Sequence, residues 1–374
     1  MLQKILSNIF LIGTLMIFGC EHKITPEKLF DLSKDKYLNS EYYTYQTVLI
    51  WPHPFLDEID TFRYHLQFEK FPNQYYKYNI IGSGEKYDLV YIDNVMNDYF
   101  HLDSTAIVYT EEQMEKEGDS FKNSMFLVFG PINIFEMPDF EYQKDTSISG
   151  KIMRKYLRVD MDTLIEDIKV YKELHIYINP ANSEVPLIRS MLYNNGKKQQ
   201  FIDAWFENYV FEDRSPGLTY DLPVGYTTKV RGEEKTNRNL LSEGSKAPDF
   251  ELQNMEGNTV SLADFKGKRV FLDFSIINCG WCKVALDEFS KPEFEFAEDV
   301  VPLYINPVDN KERLKSYLSK IDIPFPALTD AQKTGEAYGV SAYPSFFIIG
   351  KDGKIEASFA GYNPDLIEKI RKSK

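Results

Sequence analysis

A nearly continuous apolar run, Val270 to Ile277, leads straight into Asn278-Cys279-Gly280-Trp281-Cys282, and this junction constrains the chain more than any other feature. Such a run reads as a strand buried on both faces of a mixed sheet. Val284, Ala285, Leu286 and Phe289 then supply an apolar stripe, so a helix is expected to start at the first cysteine. Two cysteines three positions apart on a first helical turn can close a small disulfide ring, and the helix N-terminus favours thiolate at the exposed member. Cys279 is read as the nucleophile and Cys282 as the resolving thiol. The main rival for a C-x-x-C pair is metal binding, but a structural zinc needs four ligands. All five histidines, His22, His53, His65, His101 and His175, lie before residue 215, and Cys20 sits near the N-terminus. No metal is therefore expected, and a Cys-His hydrolase is disfavoured by the same distribution.

With 374 residues the chain is too long for one ordinary core and suggests two domains after a targeting segment. Lys4 followed by the apolar stretch Ile5 to Phe18 reads as a signal peptide over residues 1–19, too short to span a bilayer comfortably. Ile17-Phe18-Gly19-Cys20 resembles the lipobox of bacterial lipoproteins, which implies lipid modification of Cys20; an uncleaved anchor or a plain secretory signal are the alternatives. Residues 20–41 read as a polar tether with a short helix, and residues 42–214 as a β-rich domain. Strands are expected at Tyr42 to Trp51, Thr61 to Phe71, Gln74 to Ile81, Tyr87 to Ile92, Leu174 to Ile178, Val185 to Asn194 and Lys198 to Phe211. Asn195-Gly196 supplies a hairpin turn. Helices are expected at Glu111 to Gly118 and Met161 to Val170. Residues 215–242, with Pro216, Gly217, Pro223, Gly225 and Gly232, read as a linker. The net charge of -14 argues against a nucleic-acid partner, which draws on clustered Lys and Arg.

The segment His175-Ile-Tyr-Ile-Asn-Pro-Ala-Asn-Ser-Glu-Val-Pro-Leu-Ile-Arg with Trp205-Phe-Glu-Asn-Tyr resembles the end of the half-barrel carrier fold of lipoprotein-sorting proteins. That resemblance implies a curved antiparallel sheet able to hold an apolar group or a partner; an unrelated β-sandwich with an aromatic core is the alternative. Residues 243–374 resemble the TlpA-like, membrane-anchored thioredoxin family. The carrying segments are Gly244-Ser-Lys-Ala-Pro-Asp-Phe-Glu-Leu, Gly257 to Phe274 around the strand, and Gly339-Val-Ser-Ala-Tyr-Pro-Ser-Phe-Phe-Ile. The resemblance implies an α/β thioredoxin fold, a cis-proline at Pro344 beside the cysteines, and a buried acid at Asp273 that takes the proton from Cys282; a solvated Asp near a strand end is the plainer alternative. The pattern departs from the family at Asn278 and Trp281, where Trp and Pro are usual, so the Gly280-Trp281 dipeptide leaves the reduction potential open. Val300 to Ile305 reads as a strand, Lys311 to Lys320 and Ala331 to Tyr338 as helices, and Asp352-Gly353 as a hairpin turn before Ile355 to Phe359.

These readings converge on an extracytoplasmic thiol-disulfide oxidoreductase of the bacterial envelope, facing the periplasm. It is expected to work mainly as a disulfide reductase and to need no cofactor beyond its redox-active disulfide and a lipid on Cys20. Its expected partners are disulfide-containing envelope proteins, a membrane-bound electron donor and the membrane surface. A thiol peroxidase is disfavoured, since Ser-Ile-Ile-Asn precedes Cys279 where Pro-x-x-x-Thr-x-x-Cys would be needed. The alternative from a different class is an envelope lipoprotein whose N-terminal domain binds an apolar ligand or a protein, with redox activity secondary.

Overall fold

The computed structural model describes residues 24–72, 76–165, 168–231, 240–321, 323–363, 366 and 369–371; Cys20 and the segment before it lie outside this set. Among the described residues the strands form one twelve-stranded and one seven-stranded sheet. The first comprises β1 (Tyr42–Pro52), β2 (Ile59–Lys70), β3 (Tyr78–Gly84), β4 (Tyr87–Ile92), β5 (Val95–Phe100), β6 (Thr105–Val108), β7 (Glu141–Ile148), β8 (Lys151–Ile165), β9 (Ile168–Ile178), β10 (Leu187–Asn194), β11 (Lys197–Glu212) and β12 (Thr227–Val230). Their order is β12-β6-β5-β4-β3-β2-β1-β11-β10-β9-β8-β7, an open sheet and no closed barrel. All pairs are antiparallel except β12 on β6. β12 arises from the stretch read as linker, which is thus partly stitched onto the N-terminal sheet.

One face of β1 enters the main core through Tyr43, Tyr45 and Leu49, while Tyr42 on the other face joins a smaller apolar cluster with Ile81 and Val90. Tyr43 and Tyr45 are fully buried, and Tyr43 stacks on Phe68 of β2 with ring centroids 4.4 Å apart. Helices α1 (Pro26–Asn39), α2 (Glu111–Glu117) and α3 (Pro131–Ile134) contribute to the same core through Leu29, Tyr37, Met114, Ile132 and Ile134. The residues read as a tether are therefore largely a docked helix. Thr25 caps it by accepting from the Lys28 amide at 3.3 Å, Pro26 fits its first turn, and Leu29, Ser33 and Tyr37 recur every four residues on the buried side. Tyr37 Oη accepts from the Val185 amide at 3.0 Å, and Tyr156 Oη donates to the Pro26 carbonyl at 2.6 Å. The face that the carrier resemblance would leave for a ligand is thus packed by the chain's own aromatic side chains.

The helix expected over Met161 to Val170 is instead the end of the β8–β9 hairpin, with Asp162 opposite Tyr171 and Thr163 opposite Val170. Its composition suits a helix, but the β-branched partners across the hairpin decide the outcome. Val159, Met161, Leu164, Ile165 and Ile168 are left exposed there.

The second sheet is built from β13 (Glu251–Asn254), β14 (Thr259–Ser261), β15 (Arg269–Phe274), β16 (Val300–Ile305), β17 (Ala327–Thr329), β18 (Ser345–Ile349) and β19 (Ile355–Ala360), ordered β14-β13-β17-β16-β15-β18-β19. Helices α4 (Gly280–Phe289), α5 (Lys311–Leu318) and α6 (Gln332–Ala337) complete a thioredoxin fold. β15 runs parallel to β16 and antiparallel to β18. Its period of two sends Val270, Leu272 and Phe274 to one core and Phe271 to the other, where α4 contributes Ala285, Leu286 and Phe289. Phe271 is fully buried and meets Phe289 and Phe346 at 5.5 and 5.7 Å. Leu56, from the tip of the β1–β2 hairpin, joins the same core and is 4% exposed. Replacing Phe271 with Ala should cost about 3–5 kcal/mol through lost burial and the cavity left behind. A urea midpoint unchanged from the parent protein would show that this face of β15 is not packed as described.

Candidate active site

The site is assembled where β15 ends and α4 begins. Cys279 is the N-cap of α4, in extended conformation, and its Sγ accepts from the Cys282 amide at 3.1 Å. A sulfur held there faces the unpaired amides and positive end of the helix, which stabilise a thiolate. Cys279 and Cys282 are joined in a disulfide. The pair is asymmetric: Cys279 is half-buried, whereas Cys282 is fully buried. Gly280 lies open to solvent, and Trp281 is 65% exposed with its ring stacked on Tyr362 at 6.4 Å. Lys283 turns along the helix to pair with Asp287, so its ammonium is engaged with a carboxylate one turn on.

Asp273 lies on β15, on the same side as Phe271 by the strand period, and hence beneath the face covered by α4. It is fully buried. One carboxylate oxygen accepts from Ser275 Oγ, and the other has no hydrogen-bond partner among the described residues. Burial pushes the acid up to about 7, opposed only in part by the Ser275 hydroxyl. The solvated-Asp alternative does not hold. Pro344 is preceded by a cis peptide bond from Tyr343. It directly precedes β18, whose Ser345 and Phe346 pair with Phe274 and Asp273, so Cys279, Cys282, Asp273 and Pro344 gather at one end of the central strands. The Pro344 carbonyl accepts from the Gly361 amide at 2.8 Å.

Sequence comparison agrees with this geometry. The profile of the AhpC/TSA family matches residues 244–358. A thioredoxin-like protein, YneN, of Bacillus subtilis is 28% identical over 149 residues, 39% of this chain and 88% of its own length. The thiol-disulfide oxidoreductase ResA of Bacillus thuringiensis subsp. konkukian is 33% identical over 146 residues, 38% of this chain and 79% of its own. ResA of Geobacillus thermodenitrificans is 30% identical over 148 residues, 37% and 79%. The chain belongs to the thioredoxin-like thiol-disulfide oxidoreductases.

Around the dithiol of this oxidoreductase stand residues that sequence reasoning passed over. Asp309 Oδ2 accepts from the Ile277 amide and from Asn306 Nδ2, both at 3.0 Å, tying down the loop two residues before Cys279. Asn306 Oδ1 in turn accepts from the amides of Val308 and Asp309, an Asx turn that fixes the carboxylate. The run Asn306-Pro307-Val308-Asp309-Asn310 after β16 signals such a turn, but its reach to Ile277 is not local. Among the described residues no three His, Cys, Asp or Glu side chains converge as a metal would require.

The raised acid has a measurable sign. Folded Asp273 holds its proton up to about pH 7, while an unfolded aspartate releases it near 4, so the folded state binds the extra proton between these values. Stability from this group is complete below about pH 4 and is lost as pH rises toward 7. Asp273→Asn should therefore gain on the parent protein as pH rises from 5 to 8, by on the order of a few kcal/mol at the upper end. Urea titrations at the two pH values giving the same difference would remove Asp273 as a titrating buried acid.

Proposed function

We propose that this oxidoreductase is an extracytoplasmic disulfide reductase of the bacterial envelope, held to a membrane by lipid on Cys20. The observation that carries the exchange mechanism is the asymmetric pair: Cys279 reachable at the helix N-cap, Cys282 buried behind it, and Asp273 protonatable near neutrality on the strand below. Cys279 thiolate attacks one sulfur of a substrate disulfide, forming a mixed disulfide and releasing the other substrate sulfur as a thiol. Asp273 takes the Cys282 proton, Cys282 displaces the substrate from Cys279, and the Cys279–Cys282 disulfide closes. The substrate gains two electrons and two protons, and the enzyme loses them. Each turnover then requires a dithiol donor, and for a chain outside the cytoplasm this is read as a membrane-bound carrier. By the family resemblance, backbone groups beside Pro344 pair with the substrate chain and align its sulfur. The Ile17-Phe18-Gly19-Cys20 pattern supports the anchor, and no helix among the described residues is long and apolar enough to cross a membrane.

A second reading gives the N-terminal domain its own protein partner. It has support in the exposed Val159, Met161, Leu164, Ile165 and Ile168 of the β8–β9 hairpin.

Cys282→Ser should accumulate mixed disulfides through Cys279, visible on non-reducing gels and absent when Cys279 is also Ser. Discrete substrates identified by mass spectrometry are the expected result; full biological function in the double cysteine variant would move the weight to the second reading. Asp273→Asn should slow resolution of a purified mixed disulfide by about a hundredfold or more at pH 7, as loss of a general base does. Resolution at the parental rate would deny Asp273 that role. Metabolic labelling with palmitate, lost in Cys20→Ala, checks the anchor.

A further inference from the structure

The β1–β2 hairpin ends on the thioredoxin-fold domain, beside the loop that carries Cys279. Its tip is shaped by His53, whose Nδ1 accepts from the amides of Phe55 at 3.1 Å and Leu56 at 3.0 Å. The His53 amide closes the tip on the Glu58 carbonyl at 2.9 Å. So formed, the tip delivers Leu56 into the apolar core that also holds Ile277, Ala285 and Leu286. Phe55 meets Tyr317 of α5 edge-on at 6.0 Å. Two ion pairs flank this contact: Asp57 with Lys320 at 2.8 Å, and Glu58 with Arg313 at 3.3 Å.

Arg313 is the shared member of a longer chain. Its second guanidinium nitrogen lies 3.7 Å from Asp309 Oδ1, and the other oxygen of Asp309 holds the Ile277 amide. The Asp309 side chain is 7% exposed, so its field is screened little by water and responds to where Arg313 sits. Glu58 therefore stands at the outer end of a continuous set of contacts, Glu58 to Arg313 to Asp309 to the Ile277 amide, that finishes two residues from the reactive sulfur. Lys320, beyond the end of α5, binds the same tip without touching this set.

We propose that Glu58 is a positioning residue for thiol-disulfide exchange: it sets Arg313 against Asp309, which fixes the loop presenting Cys279 Sγ to the amides at the start of α4. The N-terminal domain thereby takes part in setting the balance between dithiol and disulfide. A well-held N-cap sulfur stabilises the thiolate of the reduced form, so loosening the loop favours the disulfide. The inference rests on the exchange chemistry of Cys279 and Cys282.

The test is a double-mutant cycle on the full chain, reading the equilibrium constant of the Cys279–Cys282 couple against glutathione. Glu58 and Arg313 are partly exposed, so Glu58→Gln and Arg313→Gln should keep the fold, which parental circular dichroism spectra and urea midpoints check. Glu58→Gln should move the constant about two- to fivefold toward disulfide, the range expected for an exposed ion pair. The same change in an Arg313→Gln background should have no effect, Glu58→Asp should recover part of the loss, and Asp57→Asn should leave the constant at the parental value. An unchanged constant in Glu58→Gln, an effect that persists without Arg313, or an equal effect from Asp57→Asn would each overturn the proposal, the last by reducing the tip to plain docking. A parental protein that fails to exchange with glutathione at all would instead strike the exchange reading itself.

Discussion

β15 has no side that faces water, and everything at the site depends on that. Because its alternate residues feed two cores, the strand cannot slide or tilt without opening one of them, and the loop beyond its end is held to a single register. The same burial puts Asp273 where a charge is unwelcome. A hydrophobic residue there would give a more stable domain near pH 7, so the acid stands at the expense of stability, a cost that the proposed proton transfer from Cys282 accounts for. Cys282 shares this dry setting, whereas Cys279 escapes it by capping the helix.

The N-terminal sheet solves a different problem. The larger apolar face of the twelve strands needs a cover, and the chain supplies it from α1, α2 and α3, with tyrosines that pack as hydrocarbons and find backbone partners for several of their hydroxyls. The sheet also reaches beyond its own core through the β1–β2 hairpin, which leaves the two domains sharing apolar contacts in addition to the chain that joins them.

The reactive centre was the most legible part of the sequence. Cys279, Cys282 and the strand before them form a local pattern, and the cis bond before Pro344 followed from the family's motif. Val300–Ile305 has the bounds read from its apolar run, and Asn195-Gly196 makes its turn with both residues at positive φ, 48° and 74°. What escaped was decided at a distance. Met161 to Val170 has helix-compatible composition, and only its neighbours across the hairpin make it strand. Thr227–Val230 looked like linker because a four-residue edge strand has no signature without β6 beside it. Asp309 and Glu58 carry no mark of their role, since the partners that define them lie 32 and 255 positions along the chain.

The tip of a β-hairpin is ordinarily where a chain accepts insertions and deletions most readily. Residues 53–58 cannot be such a place. With Leu56 seated in one domain while its strands belong to the other, the length of this turn is set as strictly as the volume of a core side chain, and one residue more or less would misplace Leu56 and Glu58 together. A domain cut out from residue 240 onward would also carry a bare apolar notch beside its cysteines, so its behaviour in isolation would describe a different surface from that of the whole chain.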